Sequence, residues 1–172
     1  MKKQVILLLL VIIFVLTASM VQATPMPKLK TDAPLPKEVN IAAPAADVAA
    51  ELAAFSGIWL GSYEWTYYGD NVRIKRDVVI VVEKISGNKL DLVFAFGEMR
   101  PYYRNNNVAW RRFVGTYDQA TRKVTIPIGD PIFSVPGNAT IWLSEDGNMS
   151  IFRKKAHAGA SDYTGILKKQ PL

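Results

Sequence analysis

Ring-bearing residues recur at alternate positions between residues 59 and 67, where the chain reads Trp59-Leu60-Gly61-Ser62-Tyr63-Glu64-Trp65-Thr66-Tyr67. Side chains of an extended strand alternate between its two faces, so Trp59, Gly61, Tyr63, Trp65 and Tyr67 share one side and Ser62, Glu64 and Thr66 the other. A second aromatic face belongs to Leu90, Leu92, Phe94 and Phe96, opposite Lys89 and Asp91. A third run carries a ring and an arginine on each face: Trp110, Arg112 and Val114 on one, Arg111, Phe113 and Tyr117 on the other. Rings turned into a small β domain either fill its core or line a ligand cavity. The candidate ligand-binding set is therefore Trp59, Tyr63, Trp65, Phe94, Phe96 and Trp110. A guanidinium over an indole gains about 0.5–2 kcal/mol, which makes Arg112 or Arg153 a candidate cap for Trp59. In the alternative reading both arginines face solvent and pair with Asp118 or Glu145.

Groups suited to bond-breaking chemistry are sparse. His157 is the only histidine and cysteine is absent, so neither a multi-histidine nor a thiolate metal site can form. Neither metal nor cofactor is expected. Ser161, His157 and Asp162 are near in sequence, but their Ala/Gly-rich surroundings lack the strand–turn–helix of a nucleophile elbow. Glu64 and Glu83 lie on different strands and could oppose each other as a carboxylate pair, although 15 acidic residues make such coincidences ordinary. Gly57, Gly61 and Gly69 precede no Lys-Ser/Thr pair and open no helix, unlike a phosphate loop. The expectation is a non-enzymatic binding protein.

Two further surfaces offer recognition. Tyr67, Tyr68, Tyr102, Tyr103 and Trp110 are candidates for a glycan or protein platform, with Tyr102 and Tyr103 in a loop after Pro101. The tracts Arg153-Lys154-Lys155 and Lys168-Lys169 read as solvated strand ends that keep edges from pairing with other chains. No nucleic-acid partner is expected. Asn138-Ala139-Thr140 and Asn148-Met149-Ser150 match the N-glycosylation pattern, which has meaning only in a eukaryotic source.

The elements that must position these residues follow from periodicity. From Gly57 onward apolar residues alternate and turn residues recur at near-regular intervals, which predicts strands near 57–68, 76–86, 89–97, 108–118, 122–128, 139–145, 148–154 and 161–168. Ser86-Gly87-Asn88, Asp118-Gln119-Ala120-Thr121 and Glu145-Asp146-Gly147-Asn148 are tight-turn sequences, so sequential strands must pair. Longer loops fall at 98–107 and 129–138. Eight antiparallel strands with neighbour pairing can close into an up-and-down barrel without edges, with an interior wide enough for side chains or one small ligand; an open sandwich is the alternative. Val78-Val79-Ile80-Val81-Val82 is apolar on both faces, so its outer side must be covered by a helix or the tether, or serve as an interaction surface.

Ahead of the strands, Val48, Leu52 and Phe55 fall at helical spacing within Ala-rich residues 47–55, predicting about two turns of helix that plug one barrel mouth. Pro25, Pro27, Pro34, Pro36 and Pro44 mark residues 24–46 as an extended, disordered tether or linker. The barrel domain is assigned to 47–172. Lys2 and Lys3 precede twelve apolar residues, Val5 to Leu16, and a small-residue stretch ending Val21-Gln22-Ala23. That is the layout of a cleavable signal peptide over residues 1–23, with an uncleaved anchor as the alternative. It implies a secreted or periplasmic protein that is not integral to the membrane after cleavage. No cysteine is present for a lipid anchor. Removing the leader takes away two lysines and no acid, so the formal charge falls from +6 to +4.

At Gly57-Ile58-Trp59 the chain resembles the lipocalin and wider calycin families, whose first strand carries Gly-x-Trp. Phe55-Ser56-Gly57-Ile58-Trp59-Leu60-Gly61, Val81-Val82-Glu83-Lys84-Ile85, Phe94-Ala95-Phe96-Gly97 and Trp110-Arg111-Arg112 are similar to a bacterial calycin-like module found alone or attached to hydrolases. The resemblance covers roughly residues 55–168. It implies an eight-stranded barrel that binds a small hydrophobic or amphipathic molecule, or a protein partner as barrel-type protease inhibitors do. It also implies a cation near the last strand set against Trp59, a place taken here by Lys168 or Arg153.

Overall fold

The computed structural model describes residues 24–67, 71–100, 108–128, 137–154 and 161–172. The leader, Tyr68, Tyr102, Tyr103, His157 and most of the 129–138 loop lie outside the described residues. Two short strands come first, β1 (Thr24–Pro25) and β2 (Glu38–Val39). Eight more form the domain: β3 (Gly57–Tyr67), β4 (Val72–Ser86), β5 (Lys89–Phe96), β6 (Ala109–Asp118), β7 (Lys123–Pro127), β8 (Asn138–Leu143), β9 (Met149–Arg153) and β10 (Tyr163–Gln170). Each of the eight pairs antiparallel with its sequence neighbour, and β10 returns to β3, so the sheet closes. The up-and-down barrel expected from periodicity is the observed fold.

Hairpins join strands at one end, built by the turn residues anticipated from sequence. Asp118 accepts hydrogen bonds from the Ala120 amide and the Thr121 hydroxyl, which hold its carboxyl below the usual range. At the other end, the loop end, run the connections β3–β4, β5–β6, β7–β8 and β9–β10.

The first barrel strand explains its own motif. Gly57 opens β3 at φ +114°, a conformation that L side chains rarely adopt, and the chain turns there from the helix into the sheet. Trp59, two residues on, is buried in the barrel floor, and its Nε1 donates to the Phe55 carbonyl at 2.8 Å. Closure needs the backbones of β3 and β10 to come close. A Cβ at Gly165 would lie 2.3 Å from the Ser62 carbonyl oxygen, and one at Gly61 would lie 2.0 Å from that of Ile166.

The predicted helix is shorter than its periodicity suggests. α1 spans Ala50–Ala53, a single turn, and brings Leu52 and Phe55 into the interior with Val48 packed alongside. The plug at one mouth is therefore real. Its floor includes Phe55 edge-on to Tyr117, with ring centroids 6.1 Å apart.

The Pro-rich segment corrects an expectation. Instead of a disordered tether, the described part forms a strap on the outer wall. β1 and β2 pair with each other, and Ala33 and Val39 are buried against Ile58, Val79, Val81, Val93 and Ala95. The Ala42 amide donates to the Glu83 carbonyl at 2.8 Å, the Asn40 amide to Glu83 Oε1 at 3.1 Å, and the Thr31 hydroxyl to Asp77 at 3.2 Å. Asp32 pairs with Arg100. Composition suggested too little apolar surface, yet the waiting valines of β4 supply the other half of the contact. Prolines also restrict the unfolded strap, so ordering it costs less. The outer side of β4 is covered by the tether, one of the options its two-sided apolar pattern required.

Two substitutions probe this architecture. Gly165→Ala places a methyl against the β3 backbone and is expected to lower stability by about 1–3 kcal/mol in denaturant titration; an unchanged midpoint would contradict the close approach. Val39→Ala removes two buried methylene equivalents and should cost about 1.5 kcal/mol. A loose tether would give no change.

Candidate functional site

The barrel interior is graded from floor to mouth. Near the hairpins it is apolar and filled: Leu90, Leu92, Val124, Ile126, Ile141, Met149 and Leu167 are all buried. A Cβ at Gly115 would meet Val124 Cγ1 at 2.7 Å, so even one added methyl lacks room there. Toward the loop end the lining becomes aromatic and cationic. Alternation along β3 and β10 turns Tyr63, Trp65 and Tyr163 inward, and the same parity along β4 and β9 brings in Arg76 and Arg153.

These side chains form a cluster. The Tyr163 ring lies 4.8 Å from Trp65 and 5.8 Å from Tyr63, and Tyr63 lies 5.8 Å from Trp65. The Arg76 guanidinium sits 4.2 Å over the Phe96 ring while its Nε donates to the Gly97 carbonyl. Arg153 stands 5.6 Å from the Tyr163 ring centroid. Both arginines are only 5% exposed. Burial lowers the Arg76 pKa, opposed by Tyr63, whose hydroxyl takes a hydrogen bond from it. The Tyr63 and Tyr163 phenols are pushed up by burial, and both arginines pull each back down. One electropositive field thus acts on both hydroxyls.

The structure brings together five of the six expected ligand-binding residues and removes one. Trp59, Tyr63, Trp65, Phe94 and Phe96 face the interior, Trp59 at the floor, Phe94 and Phe96 6.1 Å apart on β5, and Tyr63 and Trp65 toward the loop end. Trp110 is corrected to the outer wall. It pairs in register with outward-facing Ala95, is 36% exposed, and lies 5.5 Å from the Arg112 guanidinium. Both faces of β6 carry a ring and an arginine, so the sequence alone left its orientation open.

Neither expected arginine caps Trp59. Arg112 pairs with Glu83 on the outer wall at 2.9 Å, an interaction that raises its pKa, and Arg153 lies inside near Tyr163. The cation at Trp59 is Lys169, not Lys168. It faces Trp59 across the β10–β3 pair, with its ammonium 5.3 Å from the ring centroid and donating to the Ala54 carbonyl at 3.2 Å.

Arg76 and Tyr163 were not singled out from sequence. Parity could have found them: Arg76 occupies the stripe Ile74, Val78, Ile80, and Tyr163 the stripe Gly165, Leu167. The carboxylate pair does not assemble. Glu64 binds Arg73 and Lys75, while Glu83 lies eight residues beyond Lys75 on β4, on the order of 25 Å away. Ser161 is hydrogen-bonded through its hydroxyl and its amide to the Thr66 backbone. Among the described residues no group of three or more His, Asp or Glu converges on a metal-sized site. Likewise, among them no helix is long and apolar enough to cross a membrane.

Alkaline titration tests the cluster. Because burial raises the folded pKa of Tyr63 and Tyr163 above the ordinary value of 10.0, their contribution to stability is complete below that pH and is lost as pH rises past it. Phenolate absorbance should show Tyr63 and Tyr163 ionising above the ordinary value, as Tyr117 also does where burial and Glu51 push it up, together with falling resistance to denaturant. Tyr63→Phe should remove one late titration. Uniform titration near 10 with constant stability would contradict the buried placement.

No protein-family model matches the chain, and no curated protein matches it. Solved structures similar in fold include a de novo designed fluorescence-activating β-barrel, with 10% identity and a TM-score of 0.47 over 72% of this chain and all of that one. A redesigned β-barrel shares 14% identity with a TM-score of 0.46 over 73% of this chain and all of that one.

Proposed function

We propose that this protein is an exported, non-enzymatic, lipocalin-like barrel that holds a small amphipathic molecule at the loop end of its interior. The observation that carries the reading is the pairing of buried rings with two buried arginines on one inner wall. Tyr63, Trp65, Phe96 and Tyr163 offer apolar surface, and Arg76 and Arg153 offer positive charge. Guanidinium groups kept away from water favour an anionic group wherever one can reach them. A ligand with an apolar body and a carboxylate or sulfonate head satisfies both features. The filled floor supports entry from the loop end. Export rests on the leader pattern of residues 1–23.

Titration with 1-anilinonaphthalene-8-sulfonate tests the proposal. Saturable fluorescence enhancement with energy transfer from tryptophan is expected, displaced by dodecanoate more strongly than by dodecanol. Arg76→Gln and Arg153→Gln should each weaken binding about tenfold or more, because a charge-assisted hydrogen bond is worth about 1.5–3 kcal/mol. No saturable response from the folded protein would end the ligand-carrier reading. Equal displacement by the acid and the alcohol would remove the anionic part alone.

A further inference from the structure

The outer wall has two unlike halves. Over β3, β4 and β5 the strap covers it, and buried aliphatic side chains lie beneath. Across β8, β9, β10 and β3 the wall instead holds a groove of about 460 Å3 whose lining includes Ser62, Glu64, Trp142, Ser150, Thr164 and the apolar Ile166. That volume lies in the range of small-molecule sites.

Register builds this groove. Trp142 stands opposite Ser150, Ser150 opposite Ile166, and Ile166 opposite Ser62, so one row crosses four strands on a single face. With strands about 4.8 Å apart, this row is roughly 14 Å long. The adjacent row runs Phe152, Thr164, Glu64. Ile166 is 60% exposed beside these rows.

The groups are held in place before any ligand arrives. Lys123, across from Trp142 on β7, sets its ammonium 5.1 Å from the indole centroid. The Ser150 and Ser144 hydroxyls lie 3.0 Å apart. Arg73 and Lys75 both pair with the Glu64 carboxylate. Trp142, Ser150, Thr164, Ser62 and Glu64 all stand on paired strands, which hold a site more firmly than loops do.

An indole plate beside three hydroxyls and one carboxylate selects a particular chemistry. The indole face packs against the C–H groups of a pyranose ring. The hydroxyls of Ser62, Ser150 and Thr164 each donate and accept, and Glu64 offers two acceptor oxygens to neighbouring sugar hydroxyls. A purely apolar ligand would strip water from those groups without replacing it. Arg73 and Lys75 are already engaged by the Glu64 carboxylate, so they fix that acceptor in place rather than hold an anionic ligand. We propose that this groove binds a neutral oligosaccharide, at a site separate from the barrel interior.

Saturation-transfer NMR and affinity electrophoresis with cellohexaose, maltohexaose and chitohexaose provide the test. At least one hexasaccharide should bind the full chain. Trp142→Ala should weaken that binding tenfold or more, Thr164→Val should weaken it several-fold, and Val114→Ala, at an exposed position of β6 on a different part of the wall, should leave it unchanged. Sulfonate-probe binding in the interior should be the same in all three variants. Thr164→Val is nearly isosteric, so it reports on the groove even if loss of Trp142 perturbs folding. The proposal is overturned if no hexasaccharide binds at millimolar concentration, or if affinity is the same in Trp142→Ala and Thr164→Val as in the parent.

Discussion

The pairing of the last strand with the first strand of the barrel is the contact on which this molecule depends. Seven register pairs join β10 to β3, from Thr164 opposite Glu64 to Gln170 opposite Ile58. Without them both strands become exposed edges and the interior opens to water. The close approach of the two backbones is possible because Gly61 and Gly165 present no Cβ where one would strike a carbonyl oxygen. The same pairing sets Lys169 over Trp59 and brings Tyr163 beside Trp65. Closure thus assembles the floor contact and the ring cluster together.

The wall is then sealed from both sides. Inside, side chains from all eight strands and the α1 plug fill the hairpin half; outside, the strap buries the second aliphatic face of β4 and β5. The two coverings meet at one point. Asp32 of the strap lies against Gly97, and the Gly97 carbonyl accepts from Arg76 inside the barrel. A segment on the outer surface therefore supports the main-chain group that positions an interior cation. The β-bulge at Glu83 serves a similar double purpose, since its carbonyl and carboxylate both receive strap amides while the carboxylate also holds Arg112.

Much of this was legible in the residue order. The eight strands fall within a few residues of their periodic positions, because each combines a half-buried alternation with a turn of restricted chemistry. Only β4 begins notably earlier, at Val72, where Arg73, Lys75 and Asp77 disguise an alternating strand as a polar loop. Five of six site rings face inward because the opposite faces of their strands carry the charges, Glu64 on β3 and Lys89 and Asp91 on β5. Trp110 was not legible, since β6 is balanced between faces and only its register with β5 breaks the tie. Arg76 is hard to place because a charge inside an apolar stripe reads as solvent-facing unless parity is followed strictly. The strap differs from expectation for another reason: its few apolar residues gain weight only against a complementary surface distant in sequence.

What the amino-acid order determined alone is local and periodic: strand positions, tight turns, the glycine before Trp59, and the presence of two-sided apolar strands needing cover. Those features depend on backbone sterics and on a repeat of two, both of which act within a few residues. Tertiary structure decided which face of β6 turns inward, which cation meets Trp59, where the strap lies, and that Arg76 and Arg153 share one field with Tyr63 and Tyr163. Each of these is a meeting of residues distant in sequence. Their geometry is set by register and closure, and no local pattern encodes it.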